Sequence, residues 1–166
     1  MLISLPYQRQ KAVDYAAKWY DKRNPRYLNF DGIGGDCTNF ISQCLYAGAG
    51  VQNFTPVTGW YYNSSSDRTA SWTGVEYLYN FLIKNKSVGP YALETDISSL
   101  HPGDIIQLGN SNKFYHSLLV TEIGDIPDLN NILVSTHTFD AHRRPLASYS
   151  IQKIRCLHIE GVRKYQ

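Results

Sequence analysis

Cysteine is scarce in this chain and odd in number: three residues in 166. That argues against the disulfide framework that staples small secreted domains. Cys37 and Cys44 are too far apart to pair if they share a helix. Seven residues of helix rise about 10 Å, beyond the roughly 4.4–6.8 Å that a disulfide tolerates between Cα atoms. Long apolar runs are missing too, since none approaches the roughly 20 residues needed to span a bilayer, and no membrane partner is expected. Charge of one sign is also lacking. The net charge is +2, and the basic residues are scattered apart from Arg143-Arg144, so no nucleic-acid partner is expected. The opening Met1-Leu2-Ile3-Ser4-Leu5-Pro6 is too short and too uncharged for a secretory signal. A cytoplasmic location is expected, or a secreted or wall-associated one if an export sequence has been removed. No repeat, low-complexity tract or interdomain linker divides residues 1–166, which are read as one domain.

Aromatic residues with a polar handle are plentiful, at thirteen tyrosines and three tryptophans. They suit a groove for sugars or peptides, and equally a Tyr-rich core. Apolar residues at three- and four-residue spacing predict a first helix over 7–23, stopped by Asn24-Pro25. A second runs from Cys37 to about Ala47 and ends in Gly48-Ala49-Gly50, a suitable C-terminal cap. A third fits 72–85, with Ser71 as N-cap and Val75, Leu78, Tyr79 and Leu82 as its buried stripe. Past Gly89-Pro90 the pattern turns extended, with strands predicted over 104–108, 114–122, 131–138 and 154–162. Helices first and strands second give an α+β fold with an antiparallel sheet.

The segment that carries chemistry is Gly34-Gly35-Asp36-Cys37-Thr38-Asn39-Phe40-Ile41-Ser42-Gln43-Cys44-Leu45. It sets the Cys37 sulfur on the first turn of a helix, where free N–H groups and the helix dipole favour a thiolate, the nucleophilic form. Asp36 acts against this by charge repulsion unless it is held elsewhere, for instance as an N-cap facing the helix amides. Cys44 and Cys156 are read as small buried apolar residues. A cysteine nucleophile needs a base, and the base an orienting partner. Of five histidines, His116 begins a predicted strand and His137 lies near the end of the next. A hairpin register pairing Glu122 with Asn131 also sets His116 opposite His137, on one face. A slip of one residue substitutes Thr136 or Thr138. Asp140, just past the strand, is the alternative partner.

These residues, with Gly59-Trp60-Tyr61-Tyr62, Ser71-Trp72-Thr73-Gly74-Val75, Pro102-Gly103-Asp104-Ile105-Ile106-Gln107, Tyr115-His116-Ser117, Ser135-Thr136-His137-Thr138-Phe139-Asp140 and Arg144-Pro145-Leu146, resemble the putative amidase domain family of bacteria. That family is similar to the CHAP and NlpC-type cell-wall hydrolases, which share a papain-like fold. The resemblance implies N-terminal helices packed on a small antiparallel sheet, with Cys37 as nucleophile and His116 as base. It implies His137 or Asp140 in the third place, and Tyr27 in the position of a tyrosine that NlpC-type enzymes use upstream of the cysteine.

The expected chemistry is attack of Cys37 on an amide carbonyl, with peptidoglycan or a cell-wall peptide as the substrate the resemblance implies. Trp60, Tyr61 and Trp72 are candidates to stack on it, or else are core plugs. Arg143 and Arg144 are candidates for a substrate carboxylate. No cofactor is implied. Acyl transfer to an amine or alcohol, and a non-catalytic binding module on the same scaffold, are the competing readings. A zinc site of Cys37, His116 and His137 is a poorer one, since no close Cys-x-x-Cys or His-x-x-x-His pair anchors it. Oligomeric state stays open.

Overall fold

The computed structural model describes residues 1–166. A short strand β1 (Leu2–Leu5) leads into helix α1 (Arg9–Trp19), and a loop brings the chain to helix α2 (Cys37–Ala49). Two small strands follow, β2 (Tyr62–Ser64) and β3 (Asp67–Arg68), then helices α3 (Ala70–Thr73) and α4 (Val75–Lys84). The remainder is extended: β4 (Gly89–Thr95), β5 (Ile105–Gly109), β6 (Phe114–Glu122), β7 (Leu133–Thr136), β8 (Ala141–Pro145) and β9 (Lys153–Tyr165).

Seven strands make one antiparallel sheet in the order β1-β9-β5-β6-β7-β8, with β4 on the other edge of β9. The 13-residue β9 organises it. Its first half pairs with β5, its last residues with β1, and β4 runs along its opposite side. The α+β class and the antiparallel sheet are as the sequence predicts. Strands β1, β4 and β8 extend the sheet beyond the four expected.

Both faces of the central strands are buried, because consecutive side chains point to opposite sides. Ile105, Leu119, Leu157 and Ile159 join the main core with the helices. Ile106, Leu118, Val120, Val134 and Cys156 join a second cluster on the far face, with Leu100, Leu108, Ile132 and Leu146. Helix α2 is the centre of the main core. Ten of its thirteen residues are buried, and the four polar ones among them, Thr38, Asn39, Ser42 and Gln43, are hydrogen-bonded inside the core. It closes on Gly50 at φ 74°, the left-handed cap the sequence predicts. Helix α1 is shorter than 7–23, and the helix expected over 72–85 is divided at Gly74, whose backbone is extended.

Trp60 and Trp72 lie at the heart of this core, both fully buried. Their rings stack at 4.7 Å between centroids. The Trp72 indole N–H donates to Asn39 Oδ1 and that of Trp60 to Ser42 Oγ, so α2 satisfies both polar handles. Ser71 caps nothing and instead donates to the Gly59 carbonyl.

Candidate active site

The loop entering α2 is bent by Gly34 and Gly35, at φ +86° and +99°. A Cβ at Gly35 would sit 3.3 Å from Thr138 Oγ1. The close approach is used, because the Asp36 backbone N–H donates to that hydroxyl at 2.8 Å. Cys37 then opens α2. Its own N–H has no protein acceptor, which leaves a free donor beside the sulfur.

Asp36 does not cap the helix with its side chain. The fully buried carboxylate turns back and accepts from the Phe30 N–H at 2.8 Å, Asn39 Nδ2 at 2.9 Å and His137 Nδ1 at 2.6 Å. Burial alone would raise its pKa, but these hydrogen bonds, that of His137 first, hold it below the ordinary carboxylate range.

Cys37, Thr138 and His116 share a cavity of about 300 Å³ with Gly34, Gly35, Leu108, Tyr115, Phe139, Arg144, Tyr149 and Ser150. It opens at the end of the sheet where β5 stops, β6 starts and the β7–β8 turn projects. Ser117 faces α2, its hydroxyl 2.9 Å from Thr38 Oγ1 and held in turn by Gln107 Nε2. Arg155 Nε donates to Gln107 Oε1 and its Nη2 to Glu76. A buried polar chain therefore ties the first turn of α2 to the sheet. His116, one residue earlier and opposite Leu108, starts on the other face and meets the cavity around the end of the sheet. No hydrogen bond joins His116 to Cys37, whose side-chain partner is Thr38 Oγ1 at 3.8 Å.

The electrostatics of this pair differ from the sequence expectation. Burial pushes the Cys37 thiol up, and Asp36 adds to it; hydrogen bonds from the Ser117 backbone and from Thr38 oppose the rise without cancelling it. Burial also takes His116 down to about 4, helped by the Arg144 charge. The helix start is outweighed by desolvation, and both shifts favour the uncharged forms, thiol and imidazole.

His137 is not placed to orient His116. The β6–β7 register sets Leu119 opposite Ser135 and Val120 opposite Val134, one residue away from the register that pairs the two histidines. Continued to the strand start, it brings Thr138 opposite His116. His137 is buried, stacked on Phe40 at 3.8 Å, with Nδ1 on Asp36 and Nε2 on the Trp19 carbonyl at 2.7 Å. The ring is thus held at both nitrogens by oxygen partners. Asp140 is engaged by Arg23 through both carboxylate oxygens. Neither residue reaches His116, which packs instead near Tyr149, with centroids 6.1 Å apart. The zinc set fails with His137 for the same reason.

The expected substrate-binding residues Tyr27, Trp60 and Trp72 are corrected as well. Trp60 and Trp72 are core, and Tyr27 is buried against Trp72 at 5.9 Å. None of the three lines the cavity. The aromatic residues that do are Tyr115, Phe139 and Tyr149, of which Phe139 is 89% exposed. Sequence reading missed this role; the signal was the adjacency of Tyr115 and Phe139 to the two histidine motifs. A larger groove of about 600 Å³ between the 53–59 loop and α4 contains no cysteine or histidine.

His101, Asp104 and His158 form the one group of potential metal ligands. Asp104 is fully buried and already accepts from Arg9, the Ile159 and His101 N–H groups and His158 Nδ1, which makes it a structural hub between the N-terminus and β9.

An α+β domain that sets a cysteine on a helix start, in one cavity with a histidine from the sheet, defines a candidate nucleophilic site. The chain belongs to the putative amidase domain family, which it matches over residues 6–159. It is 36% identical over 145 residues to the uncharacterized protein YhbB of Bacillus subtilis (strain 168), a match covering 83% of this chain and 43% of that protein. No solved structure matches the chain. No helix is long and apolar enough to cross a membrane.

Proposed function

We propose that this domain is a cysteine amidase with a papain-like arrangement, in which Cys37 attacks an amide carbonyl and His116 is the base. The observation that carries the reading is the placement of Cys37, on the first turn of α2, in one cavity with His116. Because both shifts favour the uncharged forms, the proton moves as attack proceeds. His116, unprotonated above about pH 4, accepts the thiol proton, directly or through one water, and returns it to the leaving amine. The Cys37 N–H, without a protein acceptor, is available to the oxyanion. Water then hydrolyses the thioester. With no third side chain on His116, packing near Tyr149 is what restrains the ring.

The substrate proposed is a peptide amide of bacterial peptidoglycan or a fragment of it, supported by the family description and by the resemblance to cell-wall hydrolases. The test is incubation of the purified protein with muropeptides, scoring new amino groups and new carboxylates by mass spectrometry. Turnover abolished in Cys37→Ala and in His116→Ala supports the reading. Equal turnover in either variant overturns it. Added amine acceptors appearing in the product would redirect the assignment to acyl transfer.

A further inference from the structure

We propose that Arg144 makes this cavity a carboxylate receptor, so that the preferred amide carries a carboxylate close to the carbonyl that Cys37 attacks. The inference rests on the amidase reading and specifies the substrate of the same site.

Among the cavity residues, Arg144 is the only one with a permanent charge, and no Asp or Glu lines the wall. Four other arginines are neutralised within the protein, whereas Arg26, Arg68 and Arg163, like Arg144, have no carboxylate partner but do not line this cavity. Arg9 pairs with Asp104, Arg23 with Asp31 and Asp140, and Arg155 with Glu76. The neighbouring Arg143 is spent in a two-pronged contact with Glu122 at 2.8 and 2.7 Å. Arg144 has no carboxylate partner, yet it is held in place. Its Nε donates to Ser148 Oγ at 2.7 Å, Nη2 donates to the Ser148 carbonyl at 3.1 Å, and the guanidinium lies 3.8 Å over the Tyr149 ring. Those contacts leave Nη1 with no protein acceptor.

A half-buried, pre-oriented guanidinium with a vacant N–H edge matches the planar geometry of a carboxylate. The same wall holds the Tyr149 hydroxyl, which is buried beside the Arg144 guanidinium and has no other hydrogen-bond partner. His116, neutral beside Arg144, adds no competing charge. A neutral substrate would leave the Arg144 charge uncompensated in a partly desolvated wall, whereas a carboxylate would satisfy it.

The test labels Cys37 with N-iodoacetyl-alanine and with its C-terminal amide, two reagents that differ only in the carboxylate. Rates at Cys37 are read by mass spectrometry at pH 8, with free glutathione as reference. Because both reagents meet the same thiol, changes in its ionisation cancel in the rate ratio. The expected ratio favours the acid at Cys37 relative to glutathione, and falls roughly tenfold in Arg144→Gln, the effect of losing one charge-assisted contact. Arg144→Lys should keep part of the preference, Arg143→Gln all of it, and thermal melts monitor folding of each. A ratio at Cys37 equal to that of glutathione, or one that falls equally in Arg143→Gln, overturns the proposal. These results are separable from the amidase reading, which fails on its own if either Cys37→Ala or His116→Ala retains full amide turnover.

Discussion

His137 Nδ1 lies 2.6 Å from Asp36 Oδ2, in the residue just before the candidate nucleophile. Asp36 in turn anchors the Phe30 amide and Asn39, and Arg23 Nε stands 3.5 Å away. This buried cluster fixes the loop that delivers Cys37 to the cavity. His137 is therefore joined to the residue before Cys37 and makes no contact with His116.

Removing His137 strips the shortest hydrogen bond from a fully buried carboxylate and empties the space against Phe40. His137→Ala should destabilise the fold by about 3–5 kcal/mol, the scale for breaking a buried pair. Asp140→Ala, whose carboxylate is partly exposed, should cost under about 1 kcal/mol. Denaturant unfolding checks the ranking. In the surviving folded fraction of His137→Ala, the pH profile of turnover should keep its wild-type acid limb; a displaced limb would show that His137 acts on His116 after all.

The acid limb itself is a prediction. A base must be unprotonated, and His116 is lowered to about 4. Amide turnover, measured as kcat/KM, should rise through about pH 4 and be level by pH 6. Burial is the first cause of that lowering and Arg144 the second, so Arg144→Gln should move the limb to higher pH, toward the ordinary histidine value. A limb near 6.5 in the wild type would contradict the buried, neutral ring.

Alkylation should report the thiol in the same way. Burial raises Cys37 above the ordinary cysteine range, raises Cys44 further and takes Cys156 to about 12. Labelling of the folded protein by iodoacetamide should be confined to Cys37, which alone of the three lines the cavity, and should climb on the alkaline side. Fast labelling at pH 6 would instead reveal a thiolate–imidazolium pair.

Trp72→Ala should cost about 3–5 kcal/mol of stability, the range for truncating a large buried aromatic. The indole fills the core between α2, Tyr27 and Trp60, and its loss also orphans Asn39 Oδ1. Phe139→Ala should leave stability nearly unchanged and raise KM, since the ring is exposed at the cavity rim. Thermal melts and steady-state kinetics on the two variants separate core from rim.

The α2 segment and β6 were legible because their signals are local. A glycine pair, apolar spacing and a terminal glycine bound α2, and alternation bounds Phe114–Glu122 to the residue. The β6–β7 register was not legible, because a shift of one residue exchanges His137 for Thr138 without altering composition. The 131–138 run also ends early as a strand, since Thr138 and Phe139 take positive φ and turn the chain. Strands β1, β4 and β8 escaped notice because each is short or breaks alternation, and their pairing is decided by distant β9 or by β7. Trp60 and Trp72 read alike as groove or core, since an apolar ring with one N–H serves both. The thiolate expectation failed because helix position is visible in sequence while burial is not.

The β7–β8 turn holds Thr138 at φ 58° and Phe139 at φ 61°, where residues with a Cβ are disfavoured by roughly 1–2 kcal/mol each. Asn-Gly would relieve that cost in such a two-residue turn. Yet Thr138 supplies the oxygen that receives the Asp36 amide, and Phe139 supplies the cavity rim. Selection for heat tolerance alone would erase both side chains first, so a thermostable descendant of this domain bred without a functional screen should emerge sturdier and blunted at the same two positions.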